Sequence, residues 1–147
     1  MDTKETVQSL IDAIQMGDFK RAKSLLSNDF KFSGPVPEPI SADAWMGMSA
    51  SLKAAFPDLD YQFKIEGVNG DTANISADLR GTHKGNLDLT AMHMGVIPAT
   101  GKSFKAAHEH GKATLRDGKI TAWTMEPTEG AGLMAILGQL GVKIPAI

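Results

Sequence analysis

The sequence predicts an α+β fold in which a cone-shaped, curved antiparallel sheet wraps around N-terminal helices. Three observations predict it. Apolar residues recur at helical spacing up to Pro57. From residue 58 the period falls from ~3.6 to ~2, and turn signals then punctuate the chain as far as residue 126. A last amphipathic stretch closes the chain. Helices followed by an antiparallel meander pack on one face of the sheet. A sheet curved in this way leaves a conical cavity at its open end, where small apolar ligands bind.

Each element has its own signal. Val7, Leu10, Ile11 and Ile14 define one amphipathic helix over residues 3 to 16, which Gly17 and Asp18 break. "FKRAKSLL" reads as a second short helix ending near Ser27, so the pair forms a helical hairpin. "DFKFS" is extended, and the three prolines of "GPVPEPI" make a loop. Ser41 is a candidate N-cap for a third helix whose Trp45, Met48, Leu52 and Ala55 share a face. In "LDYQFKI", Leu59, Tyr61, Phe63 and Ile65 alternate with polar residues, which predicts a half-buried strand. "NGD" at 69 to 71 turns it into a return strand with Ala73, Ile75, Ala77 and Leu79 on one side. Three more strands are predicted at about 86 to 96, 103 to 116 and 119 to 126. The final helix carries Leu133, Ile136, Leu137 and Leu140 and stops at Gly141.

A chain of 147 residues is most simply one domain, residues 1–147. At that size it buries roughly 68–70 % of its unfolded surface and needs no metal or disulfide to fold. A net charge of −2 gives no basic field, so a nucleic-acid partner has no electrostatic support. There are no cysteines, which excludes disulfides and thiolate chemistry. The acidic, amphipathic N-terminus does not read as a signal peptide and no segment reads as a membrane span, so a cytoplasmic location is expected.

Few residues are equipped for chemistry. His83 falls on the apolar side of its strand, His93 on that of the next, and Tyr61, the one tyrosine, faces the same way. Neutral imidazoles in such a pocket transfer protons near neutral pH, although a buried histidine satisfied by one carbonyl is as ordinary. In "HEHG", His108 and His110 share one strand face and Glu109 the other. No metal is expected within this tripeptide. Its glutamate points away from both histidines, and zinc would need further ligands from elsewhere. Which face looks inward stays open: either the histidines join the pocket, or Glu109 does. Glu126 ends the apolar strand "ITAWTME", where partial desolvation would raise its pKa and make it an acid/base, unless it sits on the rim in water. Trp45 and Trp123 read as core or as flat pocket walls, and Met92 as part of an adaptable lining. Asp78 and Arg80, at i and i+2 on the polar face, read as a solvated pair.

"AFPDLDY", "GTHKG", "PATGKSF", "RDGKI", Trp123 and "GQLG" occur in that order. Together they resemble the SnoaL-like polyketide cyclase family of the nuclear-transport-factor-2-like superfamily, over about residues 5 to 142. The resemblance implies a cystatin-like α+β barrel, often a homodimer packed through the sheet, with a pocket near the histidine matched by His83. It implies a cyclase without cofactors that closes a ring by intramolecular aldol condensation. The family's acid/base is an aspartate a few residues after the last-strand tryptophan. Here that segment is longer and reads "WTMEPTEGAGLMAIL", so Glu126, Glu129 or Glu109 is left to replace it. The expectation is thus an acid/base enzyme acting on a small hydrophobic carbonyl compound, with Glu126, His83 and His93 catalytic. Trp45, Tyr61, Met92, His108, His110 and Trp123 would bind the ligand. The alternative is a non-catalytic binding protein for a small hydrophobic metabolite.

Overall fold

The computed structural model describes residues 2–34, 38–90, 95–126, 128–131 and 133–142. His93 and Met92 lie outside the described residues. Helix α1 spans Thr3–Met16. The Asp2 carboxylate accepts the Glu5 N–H at 2.8 Å, and Gly17, at φ 79°, closes the helix onto the Ala13 and Ile14 carbonyls. Its buried stripe is the one predicted, Val7, Leu10, Ile11 and Ile14. Helix α2, Phe19–Ser24, ends earlier than expected because Leu26 already belongs to strand β1, Leu26–Ser33. Ser41 caps helix α3, Ala42–Ala55, by accepting the Ala44 N–H.

The strands are β2 (Lys64–Asn69), β3 (Thr72–Ala77), β4 (Arg80–Thr82), β5 (Leu87–Asp88), β6 (Val96–Ile97), β7 (Ser103–Lys105), β8 (Glu109–Arg116) and β9 (Lys119–Met125). Helix α4, Leu133–Gln139, follows. The main sheet has the order β1-β9-β8-β3-β2. All its pairs are antiparallel except β1 with β9, which run parallel. Two small ribbons, β4-β7 and β5-β6, form separate sheets. The helices cover the concave face, where Trp45 stacks on Phe30 and Phe32 at 5.2 and 5.0 Å and meets Trp123 at 5.6 Å.

Three predicted strands differ from the structure. Residues 59 to 63 keep the alternating burial, with Leu59 and Tyr61 inside, but pair only through the Asp60–Arg80 bridge before β2 begins. Gln62 takes φ 50°, and the Gln15 amide replaces the missing ladder by donating to the Leu59 carbonyl (2.8 Å) and accepting the Tyr61 N–H (2.9 Å). The segment 86 to 96 contributes two short strands rather than one. The segment 103 to 116 breaks between Lys105 and Glu109. There the Ala106 N–H turns to the Leu79 carbonyl and the Ala107 N–H to the Gly130 carbonyl. The Gln139 amide brackets both backbone groups of Lys105. Asp78 and Arg80 do not pair either: Asp78 binds His108, and Arg80 reaches Asp60 at 3.5 Å.

Candidate active site

The break at 106–108 decides which side of "HEHG" faces inward. Phe104 and Ala106 are buried before it; Glu109, Gly111, Ala113 and Leu115 are buried after it. The even-numbered positions therefore face in on β7, and the odd-numbered ones on β8. Glu109 is 6 % exposed, opposite Ala77 across the β3–β8 pair. Met125 lies across from the next inward position, Gly111. Among the described residues nothing donates a hydrogen bond to the Glu109 carboxylate, and no cation pairs with it. Burial pushes its pKa up, and the negative charge of Asp78 adds to the effect.

Tyr61 reaches the same end of the sheet. Its carbonyl accepts the Asp78 N–H at 3.0 Å, and Asp78 follows Ala77, the partner of Glu109. The phenol ring stacks on Phe63 at 5.0 Å, and Phe63 meets the edge of Trp123 at 5.3 Å. The Tyr61 hydroxyl is buried and has no hydrogen-bond partner among the described residues. Burial raises its pKa to about 12, an effect the nearby Ser49 hydroxyl only partly offsets. The Ser49 hydroxyl itself donates to the Trp45 carbonyl at 2.8 Å. A neutral phenol and a carboxyl with a raised pKa thus belong to one apolar interior. The phenol can donate to a developing oxyanion, and the carboxylate can take a proton.

The other expected site residues are placed differently. Trp45 and Trp123 are buried on the concave side, as a pocket wall or core requires. His83 is fully buried, but at the β4–β7 ribbon, against Phe56 at 5.3 Å. It follows β4 in the separate β4–β7 ribbon, whereas Glu109 belongs to β8 of the main sheet. Its Nδ1 accepts the Thr100 N–H at 3.3 Å, which leaves the proton on a buried Nε2 without a partner among the described residues. Desolvation lowers its pKa, and the Gly85 backbone offsets only part of that.

Glu126 is exposed on the outer face, the side opposite the inward Met125, and its N–H donates to the His110 carbonyl at 2.8 Å. Glu129 is exposed as well. His108 and His110 also stand on the outer, exposed face and do not line the concave side. Of the three carboxylates the sequence leaves open, Glu109 is thus the buried one, and Glu126 and Glu129 are exposed. One signal was available. Counted back from the "RDGK" turn, Leu115, Ala113 and Gly111 alternate with Arg116, Thr114 and Lys112. That parity puts Glu109 inside.

Solved structures share this architecture. IdmH from Streptomyces antibioticus, proposed to be a polyketide cyclase, superposes with a TM-score of 0.71 at 22 % identity, covering 97 % of this chain and 100 % of its own. A proposed SnoaL-like polyketide cyclase from Jannaschia sp. CCS1 gives 0.71 at 21 % identity, covering 96 % and 92 %. A protein with a ketosteroid isomerase-like fold from Catenulispora acidiphila, in complex with trimethylamine, gives 0.65 at 17 % identity, covering 95 % and 94 %. At these identities the likeness shows the fold. No curated protein sequence matches the chain. The SnoaL-like polyketide cyclase family model matches residues 4–134, nearly the whole chain. With the helix-lined cone described above, this match establishes that the chain belongs to the SnoaL-like polyketide cyclase family.

Proposed function

We propose that this chain is an acid/base enzyme of the cyclase type, acting on a small hydrophobic carbonyl compound held inside the cone, with Glu109 as its acid/base. The observation that supports this is a buried carboxylate on the concave face with no donor or cation among the described residues to stabilise its charge. Ionised, Glu109 takes a proton from the carbon next to a carbonyl. The Tyr61 hydroxyl donates to the enolate oxygen that forms. The enolate carbon then attacks a second carbonyl of the same molecule, and the proton on Glu109 passes to the new alkoxide. One C–C bond forms, one C=O π bond is lost, and no electrons leave the substrate, so the step is redox-neutral. The aromatic wall of Trp123, Trp45 and Phe63 provides the apolar surface for a planar or folded chain.

The test is proton exchange at carbon. β-Diketones and β-keto esters of increasing length are incubated in D2O with the protein, and loss of the α-proton signal is followed by NMR. Glu109→Gln is expected to slow exchange by about 10²–10⁴-fold, the usual contribution of a positioned acid/base, whereas Glu126→Gln keeps the wild-type rate. Full activity in Glu109→Gln would refute the assignment. If ligands saturably quench the fluorescence of Trp45 and Trp123 while the wild type catalyses no exchange, the chain is instead a binding protein.

A further inference from the structure

The outer face of the same sheet carries a second constellation, independent of the interior. Nitrogens of His108 and His110 and a carboxylate oxygen of Glu66 all lie within 4.8 Å of one another. His108 and His110 flank the start of β8, with their rings 4.6 Å apart and nearly perpendicular. Glu66 comes from β2, two strands away. The reach across β3 is possible because the residue between them is small. Ser76 pairs with Lys64 on one side and with His110 on the other, and it faces outward between the inward Ile75 and Ala77.

Two further observations point to a ligand. Ser76 is fully buried although it faces out, and its hydroxyl has no hydrogen-bond partner among the described residues. It sits between its cross-strand partners Lys64 and His110 as an uncommitted polar group. His108 is also held in a defined tautomer. Its Nδ1 lies 2.8 and 2.9 Å from the two oxygens of Asp78, and a carboxylate only accepts, so Nδ1 carries the proton. In the neutral ring the lone pair then sits on Nε2. A carboxylate behind an imidazole in this way orients metal-binding histidines and raises their basicity.

We propose that Glu66, His108 and His110 form a binding site for a divalent first-row transition ion such as Zn²⁺, with Asp78 as a positioning residue. Two imidazoles and one carboxylate suit zinc, nickel or copper rather than calcium or magnesium, which take oxygen ligands. Three protein ligands leave a coordination position open for water or for a further group. The "HEHG" segment thus serves both sides of the sheet: its glutamate faces the cone, and its histidines face the ion.

The experiment uses the full chain freed of metal by chelation. Zn²⁺ binding is measured by isothermal titration calorimetry, and Co²⁺ binding by its visible ligand-field absorption. One ion per chain is expected, with Co²⁺ bands in the energy range of nitrogen and oxygen donors. His110→Ala and Glu66→Gln should lose saturable binding, and Asp78→Asn should weaken it by about 10–100-fold. Circular dichroism of each metal-free variant checks that it folds, as expected for the exposed Glu66 and His110 and the half-buried Asp78. Absence of saturable binding by the folded wild type at millimolar zinc would overturn the proposal. So would unchanged binding in His110→Ala, and so would one ion per two chains, which would mean a bridge between copies rather than a site within one.

Discussion

Glu109→Gln should make the protein more stable while removing its acid/base. The carboxylate is 6 % exposed, and among the described residues it has no donor or cation to stabilise its charge. Glutamine keeps the volume and the capacity for hydrogen bonding but removes the charge. Leaving a buried polar group without its partner costs about 1–3 kcal/mol, and more when the group is charged. Glutamine is left equally unpaired, so at mildly alkaline pH the substitution removes only the extra cost of the charge and should add about 1 kcal/mol. For a domain near this size that is a rise in Tm of roughly 2–4 °C. The sign with pH follows from the raised pKa. As pH rises above the ordinary value of 4.5, the unfolded chain ionises first and the folded one holds its proton. Stability then falls with pH until the folded carboxyl also ionises, above which the whole cost is present. Below that ordinary value both states are protonated, and wild type and variant should coincide. Calorimetric melts from about pH 4 to about pH 8 measure the difference directly. A Glu109→Gln variant less stable than wild type at the alkaline end, or an offset that does not change with pH, would refute the picture of an unpaired buried carboxylate.

Three further outcomes are expected. His83 is buried and its pKa is lowered, so as pH falls below 6.5 the unfolded chain takes up a proton that the fold refuses, and stability drops. His83→Gln should flatten that acid limb, as read from urea midpoints across the range. Trp45→Ala removes a ring packed against Phe30, Phe32 and Trp123, and should cost about 3–5 kcal/mol in chemical denaturation. Gln15→Leu leaves the Leu59 carbonyl and the Tyr61 N–H without their partner. It should cost about 1–3 kcal/mol, and hydrogen exchange at Tyr61 should accelerate more than exchange within α1.

Local signals recovered most of the framework. The α1 stripe, the Gly17 stop and the Ser41 cap are properties of a few consecutive residues, and the structure has each where the sequence places it. The "NGD" and "RDGK" turns likewise join β2 to β3 and β8 to β9. Strand continuity was less legible. Segments 59–63 and 106–108 alternate like strands, yet their backbone groups bind Gln15, Leu79 and Gly130 instead of a ladder. Those partners lie tens of residues away, and no local pattern announces them. A parity count carried across 106–108 therefore fails, which is why spacing alone left open whether Glu109 or the two histidines face inward.

By itself, the sequence determined the α+β class, the order of elements, the aromatic and apolar residues of the core, and the fact that Glu109 turns its back on His108 and His110. A strand alternates with period two, so opposite faces follow from spacing alone. Which face is the inside is a different kind of fact. It depends on where helices α1 and α3 cover the sheet and on the one-step shift between β7 and β8. Only the tertiary structure decided that. It buried Glu109 with no counterion among the described residues, left Glu126 in solvent, and brought Glu66 across β3 to the two histidines.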